Sequence, residues 1–96
     1  MGAEVFFTKA KGKTAKEAFN AAVDQAHYDY GHAGYTGSIA EKNSAVEIKL
    51  PQGRDPYEYA NHLIDEDDPR IEDKWGPAGY FSLGKGEFAF FGWASC

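Results

Sequence analysis

Cysteine is almost missing from this chain, and the single one, Cys96, has no internal partner for a disulfide. The 96 residues must therefore hold together through one modest core, as a single domain. Long apolar runs are missing too. No stretch approaches the roughly 20 apolar residues that a membrane helix needs. The opening MGAEVFF has neither a basic start nor a long apolar run, so no signal peptide is expected there. Gly2 fits a myristoylation motif only until Phe6, which stands where a small hydroxyl residue is required. These absences point to a cytoplasmic protein. Basic excess is the last thing lacking: 10 Lys and Arg stand against 15 Asp and Glu, for a net charge of −5. A broad nucleic-acid surface is not expected from that balance.

What is present is unevenly placed. Segment 65–73, DEDDPRIED, carries all of the net charge, because the rest of the chain sums to zero. Lys9, Lys11, Lys13 and Lys16 form a local basic run that can steer an anion. Aromatic residues make up 16% of the chain, which helps a small domain because each ring buries a large area.

The elements follow from local chemistry. AEVFFTKA at 3–10 is rich in β-formers and reads as a strand. Thr14 and Glu17 make a capping box, and apolar residues from Ala15 to Tyr30 then recur at helical spacing. Gly31 ends that helix. Ala45–Leu50 alternates as a strand with Val46, Ile48 and Leu50 inward, and Thr36–Glu41 is its expected hairpin partner. Asp55-Pro56-Tyr57-Glu58 opens a short second helix. Tyr80–Leu83 and Glu87–Ala94 form a hairpin around Gly84-Lys85-Gly86. The fold expected is α+β: a two-layer sandwich of an antiparallel sheet of four to five strands with one long and one short helix, for which a ferredoxin-like arrangement is one possibility. The last strand has Phe88 and Phe90 on one face and Phe91 and Trp93 on the other. Either it is central and covered twice, or one face meets another subunit in a homo-oligomer.

The stretch GHAGYTGSIAEK, 31–42, holds the main site expectation. Glycines at Gly34 and Gly37 let consecutive backbone N–H groups surround one anion, with hydroxyls from Thr36 and Ser38. His32, Tyr35 and Lys42 add stacking and charge. The order is wrong for a phosphate loop or a dinucleotide fingerprint, because these glycines follow a helix and precede a strand. A helix cap followed by a turn is the plainer reading. Trp75, in a rigid Gly-Pro corner, either stacks on a ligand ring or plugs the core. The acidic run Asp65, Glu66, Asp67 and Asp68 lacks the pattern of a calcium loop and reads as a solvated patch or a protein-interaction surface. The three histidines do not have zinc-site spacing, so no metal and no cofactor is expected. No catalytic signature is present: G-x-S-x-G is absent, and Cys96 sits in a tail.

The combination of MGA at 1–3, GHAGYTGSIAEK at 31–42, DKWGPAG at 73–79 and FFGWAS at 90–95 resembles small proteins encoded by bacteriophages and prophages, which carry a similar GYTG-x-IAEK stretch. The resemblance spans nearly the whole chain. It implies an accessory, anti-defence protein acting in the host cytoplasm. Such a protein either sequesters a nucleotide messenger, such as a cyclic nucleotide or an ADP-ribose derivative, or blocks a host defence nuclease. The leading expectation is a non-enzymatic binding protein for a small anionic, nucleotide-derived ligand at His32, Gly34, Tyr35, Thr36, Gly37, Ser38, Lys42 and Trp75. The alternative is an acidic inhibitor of a host defence protein acting through residues 65–68. A small hydrolase acting on a nucleotide is the third class.

Overall fold

A computed structural model describes residues 3–30 and 38–95. The elements run β1 (Ala3–Lys11), α1 (Ala15–Tyr30), a single 3-10 turn (Ile39–Glu41), β2 (Ala45–Glu47), α2 (Pro56–Asp65), β3 (Ala78–Gly84) and β4 (Glu87–Ser95). Four strands form one sheet in the order β1-β4-β3-β2, an α+β fold. β4 pairs antiparallel with both β1 and β3, while β2 lies parallel to β3. The parallel pair makes the sheet mixed, where antiparallel pairing throughout was expected, and the strand order is not ferredoxin-like.

The helix caps are those the sequence predicts. Thr14 Oγ1 accepts the Glu17 N–H at 3.2 Å, and Asp55 Oδ2 accepts the Glu58 N–H at 3.0 Å. Each satisfies one of the free donors at its helix start. Pro56 sits in the first turn of α2, where its missing N–H costs nothing.

Chain direction then places the helices. β1 and β3 both run against β4, so β1, β2 and β3 are mutually parallel. The β1–β2 connection crosses the sheet one way and the β2–β3 connection crosses back. Two right-handed crossovers in opposite directions must put their helices on opposite faces. The core divides accordingly. Ala18, Phe19, Ala22 and Ala26 of α1 pack with Phe6, Phe88 and Phe90. Ala60, Leu63 and Ile64 of α2 pack with Ile48, Ile71, Phe81 and Phe91. Because side chains alternate along a strand, β4 serves both clusters and is covered twice. The sheet-face argument for an oligomer thereby falls away. Phe81, Phe90 and Phe91 are wholly buried, each contributing about 2–3 kcal/mol of apolar burial.

Residues 38–41 form no strand. Ser38 caps the 3-10 turn, its Oγ accepting the Ala40 N–H at 3.2 Å, and Ile39 turns inward against α1. The hairpin partner expected at 36–41 is therefore not formed by residues 38–41, and residues 36 and 37 lie outside the described residues. β2 finds its partner in β3 instead, and Ile48 extends the pairing with an N–H bond to the Tyr80 carbonyl.

The β3–β4 hairpin turns tightly at Lys85 and Gly86, both with positive φ, 55° and 74°. Two successive residues of that kind match the right-handed twist of the strands. Gly86 also lies against the β1–α1 loop. A Cβ there would come within 3.0 Å of the Gly12 carbonyl oxygen, and the Gly12 N–H donates to the Gly86 carbonyl at 2.9 Å.

Candidate functional site

One helix is about 10 Å wide, and four strands at roughly 4.8 Å spacing present a wider face. α1 therefore leaves a groove on each side of itself. The first, about 370 Å³, runs along β1 and is walled on the other side by Ala21, Ala22, Gln25, Ala26 and Asp29 of α1. Ser38 and Ile39 also line it. The second, about 330 Å³, lies towards β2. It is lined by Ala15, Lys16, Phe19 and Asn20 of α1, by Asn43, Ser44 and Ala45, and by Tyr80 of β3.

The second groove has the richer chemistry. Its floor is aromatic: Phe19 is buried with its ring 5.7 Å from that of Phe90, and Tyr80 lies 5.6 Å from the same ring. Burial raises the Tyr80 phenol above its usual pKa, and the Glu47 carboxylate raises it further. The hydroxyl thus stays a hydrogen-bond donor at any physiological pH. Lys16 and Asn20 stand one helical turn apart and so share a face of α1. Ser44 is fixed through its backbone, because its carbonyl accepts the Ala78 N–H at 3.0 Å. One ammonium, one phenol, one hydroxyl and two amides thus surround an aromatic floor. Few, convergent polar groups over an apolar base are the usual make-up of a small-molecule site, and the volume fits one.

The predicted site residues fall differently. His32, Gly34, Tyr35, Thr36 and Gly37 lie outside the described residues. Ser38 is 8% exposed and serves as the 3-10 cap. Lys42 is 3% exposed, and its ammonium donates to the carbonyl oxygens of Asp73, Lys74 and Gly76 at 3.4, 3.0 and 2.9 Å. Burial holds its pKa below the usual 10.5, with the Asp73 carboxylate pulling the other way. Its three donors are spent on the 73–76 loop. Trp75 is 56% exposed, so it does not plug the core, and the Lys74 ammonium sits 5.3 Å from its ring centre. It lines neither groove.

The acidic run closes α2. Asp65 is the last helical residue, Glu66 caps it, and Asp67 takes φ 53°. The N–H groups of Asp67 and Asp68 donate to the carbonyls of Ile64 and Leu63, which is a Schellman closure with aspartate where glycine is favoured. Asp68 is held by Arg70, whose Nε and Nη2 donate to its two oxygens at 2.9 and 2.8 Å. That hydrogen bonding keeps the Asp68 carboxyl below the usual carboxylate range. An Asp67→Gly chain is expected to gain about 1 kcal/mol, since it removes both the left-handed strain and a negative charge from the negative end of a helix dipole. Thermal unfolding reads this as a rise of several degrees; an unchanged or lower Tm would contradict it.

Among the described residues no group of three His, Cys, Asp or Glu side chains gathers as a metal site. No helix among them is long and apolar enough to cross a membrane. Comparison with protein-family models, curated proteins and solved structures finds no match. The α1–β2 groove was not legible in the sequence. Asn43 and Ser44 read there only as turn residues, and Tyr80 only as a strand aromatic. The single local signal was the Lys16–Asn20 spacing, which any solvated helix face also carries.

Proposed function

We propose that this chain is a non-enzymatic binding protein for a small anionic, nucleotide-derived ligand, taken up in the groove between α1 and β2. One observation carries the reading: Lys16, Asn20, Asn43, Ser44 and the Tyr80 phenol converge on an aromatic-floored cavity of about 330 Å³. Phe19 and Tyr80 suit the face of a planar heterocycle. The amides and hydroxyls suit its polar edge, and Lys16 suits the charge. The net acidity of the chain opposes an anion only weakly, because the charge resides in 65–73 and screening limits its reach to about 8 Å at physiological salt. The resemblance to small phage proteins adds the proposal that the ligand is a signalling nucleotide of host defence.

Thermal-shift titration with mononucleotides, cyclic dinucleotides and ADP-ribose tests this. A ligand at a hundred times its Kd stabilises by about 2.7 kcal/mol, which is a shift well above error. Lys16→Glu is expected to weaken that ligand at least about tenfold, through loss of one charge-assisted contact and gain of a repulsion. Tyr80→Phe is expected to weaken it several-fold, the worth of about one hydrogen bond. No shift with any of the three classes would overturn the proposal. Product formed from a bound nucleotide would move the chain to the hydrolase class.

A further inference from the structure

The two edges of the sheet are unlike. β2 is three residues long and leaves little backbone to pair with. β1 is nine residues long, lacks proline, and keeps unbroken register with β4 from Ala3↔Ser95 to Lys11↔Glu87. No bulge twists it away. Among the described residues no strand pairs with its outer side. A long edge in unbroken register is a template for another strand unless something covers it.

The outward groups can be placed. The Gly12 N–H bonds the Gly86 carbonyl at the end of the β1–β4 ladder. In an antiparallel ladder the bonded residues alternate, so even-numbered residues of β1 turn their backbone groups to β4. The odd ones, Val5, Phe7, Lys9 and Lys11, turn theirs outward. Phe6 to Lys11, six consecutive residues, line the 370 Å³ groove whose far wall is the alanine-rich side of α1.

We infer that this edge accepts an extended peptide in which acidic residues alternate with small apolar ones, added as a fifth strand beside β1. Side chains of such a strand alternate between the two sheet faces. Those on the α1 side meet Ala22, Ala26 and Phe6, whose small and apolar surfaces suit an apolar group. Those on the opposite side meet Lys9 and Lys11, two residues apart on one face. Both are exposed, and among the described residues neither forms an ion pair. Carboxylates at alternate positions of the incoming strand complement them, while backbone hydrogen bonds supply sequence-independent affinity. Asp29 is the acidic side chain on the groove wall, and it is bonded by the Gln25 amide at 3.1 Å. It lies near the end of α1 and hence, as the helix runs back along β1, away from Lys11. The inference is independent of the ligand groove, which lies on the other side of α1.

A synthetic eight-residue peptide alternating glutamate and valine tests it against one alternating lysine and valine. With the full chain isotopically labelled, the glutamate peptide is expected to shift the amide resonances of Val5, Phe7 and Lys9 and slow their exchange. It is expected to bind about tenfold more tightly than the lysine peptide, and less so as salt is raised. A chain carrying Lys9→Glu and Lys11→Glu, both surface changes, is expected to reverse the preference. Equal affinity for the two peptides would overturn the inference. So would protection at residues other than those of β1. Sedimentation showing a dimer paired through β1 that the glutamate peptide does not dissociate would also overturn it, and would assign the edge to a second copy of the chain.

Discussion

A Lys42→Met chain is expected to unfold more than about 10 °C below the parent, equivalent to about 3 kcal/mol. Methionine keeps most of the length and apolar stem of lysine, so the loss isolates the ammonium. That ammonium closes the 73–76 loop onto the approach to β2 through three carbonyl acceptors. Hydrogen bonds to a charged group contribute about 1.5–3 kcal/mol each, desolvation of the buried ion opposes them, and removing the donor leaves its buried acceptors unsatisfied at further cost. Truncation leaves three carbonyls without this donor, and the loop includes the turn in which the Trp75 N–H meets Asp73 Oδ1 at 2.9 Å. Lys49→Met, at an exposed lysine, should move Tm by no more than a degree or two. Equal effects at the two positions would contradict the reading. The linkage to pH has a definite sign. The native pKa of Lys42 lies below 10.5, so between those values the unfolded chain holds the proton more tightly. Stability owed to this group therefore rises with pH across that window, and the methionine chain should lack the rise.

Gly79→Val is expected to cost about 3 kcal/mol or more. A Cβ on Gly79 would lie 2.8 Å from Phe91 Cζ, 2.9 Å from Ile71 Cγ2 and 3.0 Å from Ile48 Cδ1. Phe91 and Ile71 are fully buried, so neither has room to retreat. Overpacking of a full core costs about 1–3 kcal/mol, and the two γ-methyls of valine add to the first clash. The missing side chain is what lets the Phe91 ring lie across β3, 4.6 Å from the ring of Phe81. A double-mutant cycle checks the cause. Phe91→Leu removes the nearest clashing atom, so Gly79→Ala with Phe91→Leu should be destabilised less than the sum of the single changes, by about 1 kcal/mol. Strict additivity would place the cost elsewhere.

Features of short sequence range are legible in the sequence. Thr14 and Glu17, Asp55 and Pro56, and the glycines around Lys85 each do their work within a few residues. They fixed both helices and the last hairpin. Alternation correctly turned Ile48 inward. Features that depend on distant partners were not legible. Nothing around Ala45 distinguishes a parallel partner, β3, from a hairpin partner at 36–41. The deciding event is Ser38 capping a 3-10 turn, which sends Ile39 into the core and removes that partner. Lys42 looked like an available cation because its acceptors lie some thirty positions later in the chain. The α1–β2 groove exists only once α1 has been laid over the sheet, so its lining could not be read from any one segment.

The strand order carries a kinetic consequence. Among the described strands β1 is made before the other three, and its partner in the sheet is β4, made after them. Until then β1 is bare along both sides, with α1 unable to bury its alanine stripe on a finished surface. Closing the loop from Lys11 to Glu87 must precede the contacts that reward it, and pairings of such long range go with slower folding. The lysines that close β1, with Lys13 beyond them, then have an earlier occupation than any in the finished molecule. Like charges on that strand disfavour its pairing with a copy of itself while it waits.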